Sequence, residues 1–237
     1  MSRAYFLGVT LLFLAAVAPI QAVKYQVVDR TNYIAGCIRF KTEIGSFYTR
    51  QLMKAASSFI WLTFNESIGE RKDHGQVMLV VRGFRPSQRA LVSRTSNDTI
   101  LINADHIQKY PGDARLELSG ILFHEMTHVW QQYGKGKAPR GLVNGIADYV
   151  RLRAGLAPKE WTQRGSGSRW DEGYAVTAYF LDYCSGLKNG FVAELNKLMK
   201  GDYSDEFFPV ILGKTVDELW MDYKTDLDLP VELSKAE

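Results

Sequence analysis

Gly120-Ile121-Leu122-Phe123-His124-Glu125-Met126-Thr127-His128-Val129-Trp130-Gln131-Gln132 is the most informative stretch of this 237-residue chain. It holds the pattern H-E-x-x-H among apolar residues at helical spacing, within a helix expected over 114–133. Four residues are just over one turn, so His124 and His128 project from one face and can grip a single cation. Glu125 sits beside that pair and can act on a water instead of binding the metal. With 4 His and 12 Glu in the chain, chance supplies fewer than ~0.01 such matches. The spacing therefore carries information. His74 and His106 have no comparable neighbours in sequence and read as solvated loop residues.

The pattern changes around this helix. Before Pro111-Gly112, short β-branched runs at 25–28, 77–81 (VMLVV) and 99–102 (TILI) read as strands, and 44–64 carries apolar residues at helical spacing. After it, helices are expected over 141–154, 172–185, 191–199, 203–212 and 215–223. Gly134, Gly155, Gly186, Gly201 and Gly213 stand at the stops. Strands followed by helices, with no repeat or long linker, imply one α+β domain over 23–237 with a cleft between its layers.

The first 22 residues read as an export signal: Arg3, then 13 largely apolar residues from Phe6 to Ala18, then Pro19, with cleavage after Ala22. That apolar run is short of the ~20 residues that span a bilayer. No later segment reaches 18 consecutive apolar residues, so no membrane span is expected. Sequons at Asn65 and Asn97 suit a secreted glycoprotein. In an oxidising compartment Cys37 and Cys184 could pair, closing a loop of roughly 150 residues worth up to about 5 kcal/mol. Two cysteines exclude a disulfide framework and a cysteine-only zinc module. A composition 46% hydrophobic and 23% charged excludes a disordered chain. The net charge of +3 is too small to argue for nucleic acid, and Arg82, Arg85, Arg89 and Arg94 read as a solvated loop and its flanks.

A catalytic zinc usually takes three protein ligands. The next helix, Gly141-Leu142-Val143-Asn144-Gly145-Ile146-Ala147-Asp148-Tyr149-Val150-Arg151-Leu152, is the place to look for the third. HEMTHVWQ (124–131), GLVNGIADYVRLRAGLAP (141–158), RWDEGYAVTAYFLDYC (169–184) and NGFVAELNKLM (189–199) resemble the plant basic secretory proteins, grouped with pathogenesis-related proteins and HExxH metallopeptidases. The resemblance covers essentially the whole chain after residue 22. It implies a thermolysin-like (gluzincin-type) fold and a secreted protein of the apoplast or cell wall. It also implies one zinc ion on His124 and His128, Glu125 as general base, and a role in defence against microbes.

One position departs. The family typically has Glu-Gly-Ile-Ala-Asp where this chain has Asn144-Gly145-Ile146-Ala147-Asp148, so the third ligand becomes a neutral amide oxygen, poorer for zinc than a carboxylate. Asp148, 20 residues after His128, is the alternative ligand. Using it moves the donor about 5.4 Å along the helix and removes the carboxylate expected to brace a ligand histidine. Tyr174 could hydrogen-bond an oxyanion, although a helix-start aromatic packed on the core is the plainer reading. Arg151 could pair with Asp148 or Glu125, or form a surface ion pair. Trp130, Trp161, Trp170 and Trp220 read as core and cleft walls.

Two functions are thereby expected. One is a monomeric, secreted zinc metallopeptidase acting on a peptide or protein substrate of microbial or cell-wall origin. The other is a catalytically weakened member of the same fold that acts by binding, with Asn144 as its support.

Overall fold

The computed structural model describes residues 22–31, 38–88 and 90–228. The expected export signal up to Gln21, Cys37 and Arg89 lie outside the described residues.

The β-branched runs form β1 (Lys24–Asp29), β2 (Gln76–Arg82) and β4 (Thr99–Asn103), and a fourth strand, β3 (Ser93–Ser96), joins them. The sheet order is β1-β2-β4-β3, with β1, β2 and β4 parallel and β3 antiparallel to β4. Helix α1 (Gly45–Thr63) links β1 to β2, and α2 (Ala104–Lys109) follows β4 directly. Val77, Leu79, Val81, Ile100 and Ile102 are fully buried at alternate positions, so one sheet face carries the core. α1 packs on β1, while α3 (Ala114–Trp130) packs on α1, β3 and β4.

α3 is apolar nearly all round, as a helix enclosed on most sides must be. Leu118, Leu122, Met126 and Trp130 are fully buried. Asp113, just after Pro111-Gly112, caps it by accepting from the backbone N–H groups of Arg115 and Leu116. The Trp130 indole donates to Ser57 Oγ on α1 at 3.0 Å and meets Trp61 edge to face. α3 stops at Trp130 rather than 133, because the backbone turns extended at Gln131.

The helical half comprises α4 (Arg140–Arg153), α5 (Tyr174–Leu187), α6 (Phe191–Leu198), α7 (Phe207–Leu212) and α8 (Val216–Asp228). α4 lies between α3 and α5, and two glycines let α5 and the turn before it come close. A Cβ on Gly145 would stand 2.2 Å from Thr177 Cγ2, and one on Gly141 1.6 Å from the Asp171 carbonyl oxygen. The α5 helix begins at Tyr174, two residues later than its spacing suggests. The Glu172 carboxylate is occupied instead in accepting the backbone N–H groups of Ser168 and Arg169. Thr177 then locks the turn, accepting from Gly173 N–H at 2.8 Å and donating to Trp170 O at 2.7 Å. Phe180, Trp220 and Tyr223 join α5 to α8 through ring contacts.

The arginines expected on a loop and its flanks are divided between that loop, which holds Arg85, and the strands beside it. Arg82 ends β2 and Arg94 lies in β3. Asn97-Asp98 is the two-residue turn of the β3–β4 hairpin, with Asn97 at φ 51°. Both sequon asparagines, Asn65 and Asn97, are exposed. Among the described residues no helix is long and apolar enough to cross a membrane.

Candidate active site

α3 forms the floor of a cleft of about 1050 Å³, flanked by β3 on one side and by α4 and the start of α5 on the other. His124 and His128 meet on that floor, Nε2 to Nε2 at 3.0 Å, as one helical turn requires. Asp148 of α4 accepts from Nδ1 of His124 at 2.6 Å. It therefore stands behind the ring, away from the face where the two Nε2 atoms converge, which is the position of a brace and not of a metal donor. Asn144, one turn earlier on α4, lines the cleft and donates its amide N–H to Arg140 O at 2.9 Å, leaving its carbonyl oxygen for other partners.

The two imidazoles differ electrostatically. Burial alone would drive His124 down, but the Asp148 carboxylate more than offsets this, with Glu125 adding to it, and the pKa is raised. Burial, reinforced by the charge on His124 and opposed by Asn144, pushes His128 down to about 3. His128 is thus held neutral. The Gln131 amide nitrogen donates to His128 Nδ1 at 2.7 Å and to Val143 O at 3.2 Å. With Nδ1 accepting, the His128 proton lies on Nε2, shared with His124. This relay satisfies each of its members except the Gln131 side-chain oxygen, which is buried without a partner.

That arrangement bears on whether a cation fits. Two imidazole nitrogens converge with one exchangeable proton between them, and one spare buried acceptor lies beside Nδ1 of His128. Rotation of the Gln131 amide would bring that oxygen to an Nδ1–H and free the Nε2 lone pair. Among the described residues no group of three His, Cys, Asp or Glu side chains is disposed to hold a metal. Asn144 lines the same cleft as the two histidines, and its side chain meets His128.

Glu125 is 5% exposed and points toward β3. Its Oε1 accepts from Ser93 Oγ at 2.5 Å, and its Oε2 accepts from Thr95 Oγ1. Ser93 and Thr95 pair across the hairpin with Ile102 and Ile100, so they share the buried sheet face that meets α3. These two hydroxyls and Gln131 escaped the sequence reading. The available signal was the alternating S-R-T-S run before Asn97-Asp98, a hairpin pattern with too few apolar residues to stand out.

Tyr174 is not packed on the core. It is 60% exposed, lines the cleft and stacks over the His124 ring at 6.2 Å and 12°. Its φ of 46° is sparsely populated for a non-glycine residue and costs on the order of 1 kcal/mol. Arg151 pairs with neither Asp148 nor Glu125. It lies partly buried across Gly120, donating to Leu156 O at 3.0 Å and standing 3.9 Å from Glu117. His106 belongs to α2 and bonds Glu117 at 2.8 Å, while His74 lies 3.2 Å from Val129 O and edge-on to Trp130. Neither is a free loop histidine. Trp161 is a cleft wall, Trp130 and Trp170 are core, and Trp220 packs half-buried against the core.

Comparison with known proteins agrees with this picture at the level of family. The model of a family described as a peptidase of plants and bacteria matches residues 20–223. A "basic secretory protease" of Boswellia serrata is 45% identical over 65 residues, which is 27% of this chain and 77% of that protein. No solved structure matches the chain significantly. Because the family match runs from ahead of β1 into α8, taking in the cleft and every element around it, the chain belongs to this peptidase family of plants and bacteria.

Proposed function

We propose that the chain is a secreted zinc metallopeptidase of thermolysin-like fold that hydrolyses peptide bonds outside the cell, in plant defence. The observation that carries this reading is the convergence of His124 and His128 Nε2 at 3.0 Å on the cleft floor, beside a buried Glu125. Secretion is supported by the apolar N-terminal segment and by the printed name of the Boswellia relative.

In this reading His124, His128 and the Asn144 oxygen hold one zinc. When bound, zinc supplies Lewis acidity that polarises a carbonyl oxygen and lowers the pKa of water. Asp148 keeps a proton on Nδ1 of His124, so that Nε2 offers its lone pair to the cleft. Glu125 takes a proton from the attacking water and returns it to the leaving amine nitrogen, while Ser93 and Thr95 hold its carboxylate in one orientation. The Tyr174 hydroxyl, above His124, can donate to the developing oxyanion. β3 is the last strand of the sheet among the described residues, so an extended substrate can pair with its outer edge.

Asn144 favours a second reading, a weakened enzyme that acts by binding, because a neutral oxygen holds zinc poorly. Metal analysis of the secreted protein with casein cleavage decides between them. One zinc per chain and cleavage abolished by a chelator are expected, whereas a metal-free protein without turnover establishes the binding role. Asn144→Glu is expected to raise zinc affinity about tenfold or more. Unchanged affinity on titration would remove Asn144 from the ligand set.

A further inference from the structure

Charge on the cleft walls is unevenly committed. The three carboxylates among its described lining residues are engaged: Glu117 with His106 and Arg151, Glu125 with Ser93 and Thr95, and Asp148 with His124. Arg151 is partly buried and bonded to the Leu156 carbonyl. Arg94 and Arg140, both exposed and both lining the cleft, have no ion pair and no side-chain hydrogen bond among the described residues. They come from opposite walls. Arg94 lies between Ser93 and Thr95, so its Cβ leaves β3 on the face opposite α3, next to the strand edge that has no partner among the described residues. Arg140 is the first residue of α4, where the helix dipole disfavours a cation and no acidic residue offsets it. Helix stability does not account for an arginine there. Nearby, Lys135 and Lys137 share the single carboxylate of Asp202, on the loop whose Gly136 also lines the cleft. That leaves a further positive charge in excess.

We infer that the cleft selects acidic peptide segments, with Arg94 and Arg140 reading carboxylates on either side of the point of attack. The inference rests on the proposed peptidase reading of this cleft and names its substrate class. A peptide paired with the β3 edge brings one side chain beside Arg94 on the open sheet face, and its continuation past the histidines reaches Arg140. Both arginines are solvated, so each contact adds a few-fold in affinity and is weakened by salt.

The test is binding of fluorescein-labelled peptides of one length, rich in Glu, Gln or Lys, to the full secreted chain, with cleavage of the same peptides recorded separately. At low ionic strength the Glu peptide is expected to bind about tenfold more tightly than the Lys peptide, with the gap closing as salt is added. The Arg94→Gln/Arg140→Gln double variant should lose the preference, and Arg94→Glu/Arg140→Glu should reverse it. The single Arg→Gln variants each lose part, which keeps the test decisive if a double variant folds poorly. Equal binding of all peptides, no binding, or a preference unmoved by the substitutions overturns the inference. Cleavage without preference sinks it alone, whereas preference without cleavage sinks only the hydrolytic reading.

Discussion

Glu125→Gln is expected to lower kcat for peptide hydrolysis by about a thousandfold, within the range for loss of a positioned general base. The substitution keeps the shape of the side chain in a site that is 5% exposed, and the Ser93 and Thr95 hydroxyls that now donate to it can rotate to accept from an amide. The protein should therefore fold as before and bind zinc with nearly unchanged affinity, since neither His124 nor His128 loses a hydrogen bond. Steady-state kinetics with metal titration on the same preparation checks this. A variant with full kcat would exclude Glu125 as the base. Loss of metal together with activity would mean instead that the carboxylate serves the ion.

Gly141→Ala is expected to be the most damaging single methyl addition in the helical half. The new Cβ would lie 1.6 Å from the Asp171 carbonyl oxygen and 3.0 Å from Gly173 N, and both obstacles are backbone, which cannot swing aside as a side chain can. Either the 171–173 turn leaves α4 or the domain loses about 3 kcal/mol. Tyr174 follows that turn directly and stacks over His124, so a displaced turn also removes its ring from the site. A large fall in the denaturation midpoint, with kcat lowered in whatever folds, is the expected result. Wild-type stability would show that the two segments do not press together as described.

Much of the fold was legible because its signals are local. The runs VMLVV and TILI mark β2 and β4 by side-chain branching, and the apolar periodicity of α1 and α4 and the long apolar stretch of α3 place each within a few residues of its extent. β3 was not legible. Its four residues are polar, and they become a strand only because β4 offers its edge and α3 offers a carboxylate. Tyr174 misled for a similar reason: an aromatic at a helix start usually packs inward, and here the Gly173 backbone turns it over the cleft.

The chain alone determined that His124 and His128 share a face, because the helical repeat fixes residues four apart whatever surrounds them. It also determined that Glu125 adjoins them and that a later helix carries an amide and an aspartate one turn apart. Only the tertiary structure decided how these groups are held. Asp148 meets His124 across 24 residues of sequence, and Ser93 and Thr95 meet Glu125 across 32 and 30. Contacts at such separations have no local period. They follow from which sheet face α3 covers and how closely two glycines let α4 approach α5, and these depend on the packing of the whole domain.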